Sequence, residues 1–224
     1  MSDVGRLLGS AEGLLLDFDG PICDLFATYR AWDIANELRS FLQKHVPFPE
    51  QLPVADDPLE LLRWTAHHHP SLTRAVEDLQ SESEYAAAES ARPTDFAQEV
   101  LQATGGTVGV AIVSNNSAEA IRRYLDLHQI HVDTVIGRTP AQPHLLKPHP
   151  ASVLRAAHRL NVSPGECVLV GDSPSDIEAA REAQVASIGY AKRPDRVSEL
   201  SDADVVTQTM EDVATALRLQ KAVR

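Results

Sequence analysis

The sequence predicts an α/β protein: a doubly wound parallel sheet interrupted by an all-helical insertion. Three observations carry that expectation. After residue 95 short β-rich runs alternate with helical patterns, whereas residues 24–92 hold only helical stretches and proline loops. Acidic, hydroxyl and ammonium side chains also recur at the ends of the predicted strands. Alternating strand and helix is the pattern of parallel strands joined by crossover helices, with both sheet faces covered.

The elements follow in order. Leu14-Leu15-Leu16 is a short apolar run ended by Asp17 and Asp19, as expected of a buried strand. FATYRAWDIANELRSFLQKH, DPLELLRWTAHHH and SLTRAVEDLQSESEYAAAES read as helices separated by loops such as VPFPEQLP, and ESARPTD, residues 89–95, reads as the return hinge. TVGVAIVS (107–114) is valine- and isoleucine-rich and reads as a strand. In the helix that follows, Ile121 and Leu125 are four apart and Ser117 is a candidate cap. DTVIG is a short strand, followed by the proline-rich loop TPAQPHLLKPHP. ASVLRAAHRL places Val153, Leu154, Ala157 and Leu160 on one expected helix face. CVLVGD, PSDIEAAREA, VASIGY and ADVV continue as strand, helix, strand and short strand before a terminal helix near 210–221.

The chain has 224 residues, 43% hydrophobic, enough for a core with one smaller insertion. Twenty basic against thirty-two acidic residues give a formal charge of −12. That balance opposes nucleic-acid or anionic-membrane surfaces, which need lysine and arginine clusters. No apolar stretch reaches the roughly 20 residues needed to span a bilayer, and MSDVGRLLGSAEG lacks the layout of a secretory signal. Cys23 and Cys167 fit neither a disulfide framework nor a zinc pattern and read as buried free thiols. A reducing cytoplasm is the expected location.

Buried charge is costly without partners, so Asp17 and Asp19 are expected where a strand ends and positive charge is near. Ser114 follows VGVAIV, Lys147 lies in a loop before a helix, and Asp172 and Asp176 follow CVLVG. Open α/β sheets bind ligands at such carboxyl ends. Gly20 permits a sharp turn beside the first pair.

Four motifs, DFDGPI, SNN, the lysine of LLKPHP and GDSPSD, occur in that order. In them the chain resembles the haloacid dehalogenase superfamily of hydrolases, in its helical-cap subfamily I, phosphoglycolate phosphatase-like group. The resemblance implies a Rossmann-like catalytic core, residues 1–22 and 93–224, and a helical cap, residues 23–92. It implies Asp17 as nucleophile and Asp19 as general acid and then base. Mg²⁺ is the implied cofactor, held by Asp17, Asp172 and the Asp19 carbonyl with support from Asp176. Ser114 and the Asn115 amide would hold phosphoryl oxygens, with Gly20 beside them, and Lys147 would stabilise nucleophile and transferring group. The family usually has threonine or valine where this chain has Pro21.

The implied partner is a small phosphorylated metabolite, hydrolysed through a phosphoaspartate. Alternatives are a phosphoryl-transferring mutase of the β-phosphoglucomutase type and a non-catalytic phospholigand-binding or regulatory protein. Arg63, Trp64, His67-His68-His69 and Tyr85 are available in the insertion to meet a substrate. Trp64 is read as packing, the histidines as a helix end and Arg63 as a surface ion-pair partner.

Overall fold

The computed structural model describes residues 2–48 and 52–223. The elements, in chain order, are α1 (Asp3–Leu8), β1 (Gly13–Leu16), β2 (Cys23–Asp24), α2 (Ala31–His45), α3 (Pro58–His68), α4 (Thr73–Ala88), β3 (Arg92–Pro93) and α5 (Ala97–Thr104). They continue with β4 (Gly109–Val113), α6 (Ala118–Leu127), β5 (Thr134–Ile136), α7 (Ala151–Leu160), β6 (Cys167–Gly171), α8 (Pro174–Glu182), β7 (Ala186–Tyr190), β8 (Val205–Thr207) and α9 (Met210–Val223).

Six parallel strands form one sheet in the order β5-β4-β1-β6-β7-β8. The chain builds outward from β1 through β4 to β5, then returns to the other side of β1 for β6 onward. That reversal makes the carboxyl end of β1 the switch point where such sheets bind ligands. The doubly wound α/β expectation holds.

β1 shows why an uninterrupted leucine run suits this place. Leu14 and Leu16 point into one apolar layer with Val110, Ile112, Val168 and Val170, beneath helices that include α6 and α9. Leu15 points into the opposite layer, with Ala111, Val113 and Leu169 under α7 and α8. All three leucines are fully buried, worth about 2 kcal/mol of transfer free energy each.

Helices α2, α3 and α4 lie between β2 and β3 and share an apolar cluster of their own, built on Ile34, Leu38, Leu42, Leu61, Leu62 and Val76. Phe26 and Tyr29 pack against both this cluster and the main core. A two-residue antiparallel pair, Cys23–Asp24 with Arg92–Pro93, ties the start of the insertion to its return.

Local expectations fared unevenly. Ser117 caps α6, its side chain accepting from the Ala120 amide. Cys23 and Cys167 are buried free thiols. The first insertion helix starts at Ala31 instead of Phe26, because Phe26 and Tyr29 serve as packing anchors ahead of it. On α7 the buried face is Val153, Ala156 and Ala157, whereas Leu154 is 41% exposed. A 100° turn per residue cannot keep Val153 and Leu154 both centred on one face. Helices α1 and α5 had no counterpart in the sequence reading. Residues 49–51 of the expected VPFPEQLP loop lie outside the described residues. Among the described residues no helix is long and apolar enough to cross a membrane.

Candidate active site

The strand order dictates where the motif residues meet. Asp17 continues β1 by donating its amide to the Val170 carbonyl at 2.9 Å. Phe18 turns inward to an edge-on contact with Tyr124, ring centroids 5.4 Å apart. The aspartates on either side of it line one cavity of about 500 Å³. Ser114, Asn115, Lys147 and Asp172 line the same cavity. The four separated motifs therefore converge.

Lys147 is the centre of the cluster. Its side chain is 2% exposed, and Nζ lies 2.9 Å from Asp17 Oδ1, also contacts Asp176 Oδ1, and donates to the Val113 carbonyl at 2.9 Å. An ammonium has three N–H donors, so all are engaged. Its backbone is fixed by one amide side chain: the Lys147 N–H donates to Asn115 Oδ1 at 2.8 Å, and Asn115 Nδ2 donates to the Lys147 carbonyl at 3.2 Å. Arg63, reaching from α3, donates to the same carbonyl at 3.0 Å. Arg63 is thus a strut between the insertion and the loop that carries Lys147, not the surface ion-pair partner expected.

Asp176 is fully buried in the first turn of α8. Oδ2 accepts from the Ser173 amide and hydroxyl, completing a capping box, while Oδ1 faces Lys147. Helix cap and charge partner are one residue here.

Gly20 has φ +102°, and a Cβ there would overlap the Asp172 carboxylate. Only glycine combines that backbone with so close an approach. The Gly20 amide donates to the Cys23 carbonyl at 2.7 Å, and its carbonyl accepts from Thr94 Oγ1 at 2.6 Å. Both Gly20 backbone groups are thus engaged by protein, and the residue leaves space beside Asp172.

Ser114 is 2% exposed, and its hydroxyl donates to Asn116 Oδ1 at 3.0 Å and accepts from the Asn116 amide at 3.2 Å. The Asn115 N–H has no protein acceptor among the described residues. An uncommitted amide on a cavity wall suits an anionic oxygen.

The electrostatics are unbalanced. Burial pushes the Asp17 carboxyl up to about 7, Asp176 adds to this, and Lys147 opposes it. Burial, then the charges of Asp17 and Asp176, push Asp172 up to about 8. Burial raises Asp19 to about 6 against the hydrogen bond its Oδ1 accepts from the Leu25 amide at 2.8 Å. Burial alone would lower Lys147, but Asp17 and Asp176 outweigh it and hold the ammonium charged. Asp17, Asp172 and Asp176 each offer a carboxylate oxygen, all within 4.8 Å of one another. Three clustered carboxylates and one ammonium leave surplus negative charge, which a hard divalent cation with oxygen ligands would neutralise. The donor set fits Mg²⁺.

From the insertion, Phe26, Ala31, Asp56, Asp57 and Leu59 reach this cavity. The sequence reading did not single them out. Trp64 packs in the insertion's own core, and the histidines form a solvated helix end. Tyr85 lies under Arg123, whose guanidinium carbon is 5.6 Å from the ring centroid. A larger cleft of about 750 Å³, lined in part by Arg63, His67, His144 and His149, includes none of the motif aspartates Asp17, Asp19, Asp172 and Asp176.

Arg138, also missed, is 2% exposed by side chain and pairs with Glu77 at 3.1 Å and Glu84 at 2.8 Å, both on α4. Its Nη1 also donates to the Asn115 carbonyl at 2.9 Å. Glu84 Oε2 accepts from the Ser117 amide at 2.7 Å. The loop carrying Ser114 and Asn115 is therefore braced from the insertion.

The family model for haloacid dehalogenase-like hydrolases matches residues 14–190. Phosphoglycolate phosphatase of Escherichia coli K12 is 34% identical over 123 residues, 53% of this chain and 47% of that protein, so the match spans about half the relative's length. A haloacid dehalogenase-superfamily hydrolase from Ehrlichia chaffeensis is similar in fold, with TM-score 0.60 at 19% identity over 95% of this chain and 98% of the other. β-Phosphoglucomutase from Clostridium difficile has TM-score 0.63 at 17% identity, covering 96% of this chain and all of the other. With the family model covering most of the chain and the motif residues gathered at one switch point, the protein belongs to the haloacid dehalogenase-like hydrolases.

Proposed function

We propose that this protein is a Mg²⁺-dependent phosphatase that hydrolyses a small phosphorylated metabolite through a phosphoaspartate on Asp17. The carrying observation is the Lys147 ammonium held between Asp17 and Asp176 in a cavity that also contains Asp19.

In this reading an Asp17 oxygen attacks phosphorus, the bond to the substrate oxygen breaks, and Asp19 delivers its proton to the departing alkoxide. Water then attacks the phosphoaspartate, Asp19 takes the water's proton, and the Asp17–phosphorus bond breaks to release phosphate. Burial holds Asp19 near 6, where a carboxyl group can both give and accept a proton close to neutrality. Lys147 favours the ionised form of Asp17 and faces charge developing on the phosphoryl group. The Asn115 N–H and, after rotation, the Ser114 hydroxyl would bind phosphoryl oxygens.

Asp17, Asp172 and the Asp19 carbonyl would hold the cation, with Asp176 in support. When bound, the cation supplies positive charge that lets an anionic ester approach several carboxylates. Residues 23–92 would act as a cap, excluding water and contacting the leaving group through Phe26, Ala31 and Leu59.

The test is phosphate release from phenyl phosphate with Mg²⁺ and with a chelator. Release with Mg²⁺, lost on chelation and in Asp17→Asn, supports the reading. Equal release by wild type and Asp17→Asn, or none from a broad set of phosphomonoesters, rejects it. Isomerisation without net phosphate release would assign a mutase instead.

A further inference from the structure

Among the described residues, the charged groups lining the cavity are Asp17, Asp19, Asp172, Asp56 and Asp57 against Lys147 alone. The first three sit at the reacting end. Asp56 and Asp57 come from the insertion, on the wall that a leaving group would face. Asp57 is fixed there because it caps α3: its Oδ1 accepts from the Leu59 amide at 2.9 Å, with Pro58 starting the helix. Asp56 is exposed and has no ion-pair partner among the described residues.

Among the described residues that line the cavity, no base besides Lys147 stands against these two carboxylates. Arg39, next to Ala55, is committed to the Asn36 side chain and the Ala55 carbonyl. All three donors of Lys147 are engaged by Asp17, Asp176 and the Val113 carbonyl. Arg63 Nη2 is committed to the Lys147 carbonyl, and Arg63 lines the neighbouring cleft instead. Phe26, Ala31 and Leu59 complete the wall with apolar surface. Lys192 and Arg196 lie near the reacting end but do not line the cavity, being committed to Asp24 and to the Asp172 carbonyl. On the insertion wall a substrate's second anion would therefore meet like charge. A carboxylate-bearing alcohol such as glycolate is a poor match, although curated relatives are named for phosphoglycolate.

We propose that this site selects phosphomonoesters whose alcohol part bears no negative charge, with a further gain when that part bears an amine. The proposal rests on the phosphatase reading above. It assigns Asp56 and Asp57 as specificity-determining residues that work by repulsion, a common route to discrimination between similar ligands.

Three esters of nearly equal size separate the charge effect from shape: 2-aminoethyl phosphate, 2-hydroxyethyl phosphate and 2-phosphoglycolate. Wild-type kcat/KM is expected to fall in that order, with the hydroxyl ester at least about tenfold ahead of the carboxylate ester at low salt. Because Asp56 and Asp57 are exposed, the gap should narrow as salt rises. The double substitution Asp56→Asn, Asp57→Asn keeps a good helix cap at position 57. It is expected to raise the 2-phosphoglycolate to 2-hydroxyethyl phosphate ratio by a similar factor.

Preference for 2-phosphoglycolate in wild type, or a ratio unmoved by both salt and the double substitution, overturns the proposal. Phenyl phosphate distinguishes the two levels of failure. Turnover of phenyl phosphate with the wrong order among the three esters rejects only the substrate class. Absence of turnover on every ester rejects the phosphatase reading, and the substrate class falls with it.

Discussion

Arg138 and Glu84, 54 positions apart, form a buried ion pair with Nη1 2.8 Å from Oε1 and side chains 2% and 1% exposed. Glu77 shares the guanidinium at 3.1 Å. The pair joins insertion helix α4 to the segment after β5, and through the Asn115 carbonyl it reaches the residues that fix Lys147. Arg138 is a positioning residue for that loop.

Removing one partner of such a network leaves buried charge uncompensated. Arg138→Met is expected to destabilise the protein by about 3 kcal/mol or more, read from urea unfolding. Adding Glu77→Gln and Glu84→Gln to Arg138→Met should recover part of that loss, because the buried charges then disappear together. No recovery in the triple variant would mean that the arginine acts through packing alone.

The pH dependence of the metal-free protein follows from the raised carboxyl groups. Asp17, Asp19 and Asp172 lie at about 7, 6 and 8 in the fold, against an ordinary value of 3.8. Between those limits the folded state holds more protons than the unfolded chain, so this contribution to stability is full below about 4 and declines as pH rises toward 8. Chemical unfolding without metal should therefore show this component decreasing from pH 5 to 8. Asp172→Asn should flatten the profile. Mg²⁺ should stabilise more at pH 8 than at pH 5, since it competes with protons for the same oxygens. A metal-free protein that gains stability across this range, with Asp172→Asn leaving the slope unchanged, contradicts the charge surplus.

The role given to Asp19 depends on the leaving group. A phenol bearing a nitro group departs readily without protonation, whereas an alkoxide does not. Asp19→Asn is expected to slow the first step, transfer of phosphorus to Asp17, by about 10²-fold or more on an alkyl phosphate. The p-nitrophenol burst from p-nitrophenyl phosphate should slow by much less, while steady-state turnover of both falls because the second step also uses Asp19. Equal losses in the first step on both esters would remove the general-acid assignment.

The sequence made the sheet and the convergence of Asp17, Asp19, Ser114, Asp172 and Asp176 readable, because each follows a strongly apolar strand and parallel strands bring their ends together. Lys147, in a loop before a helix, was placed by its motif instead. The Arg138 network was not readable. Glu77 and Glu84 sit among polar residues of α4 and resemble a solvated face, and their partner is 61 and 54 positions away. Arg63 was misjudged for a related reason: its partner is a backbone carbonyl 84 positions distant, which no charge pattern announces. Helix α1, six residues with a central glycine, owes its place to packing on α9 and to the Ser2 cap more than to its own periodicity. Asp57, the cap ahead of Pro58, was not singled out, because its place on the cavity wall depends on how the insertion closes over β1.

The central claim is that Asp17 carries phosphorus. Protein with Mg²⁺ and an aryl phosphate, quenched in acid during the first turnovers and reduced with borohydride, can be mapped by peptide mass spectrometry. The expected result is reduction of an acyl phosphate at position 17, absent in Asp17→Asn. A phosphoryl group at another residue, or continuing turnover with none trapped at Asp17, would contradict the account.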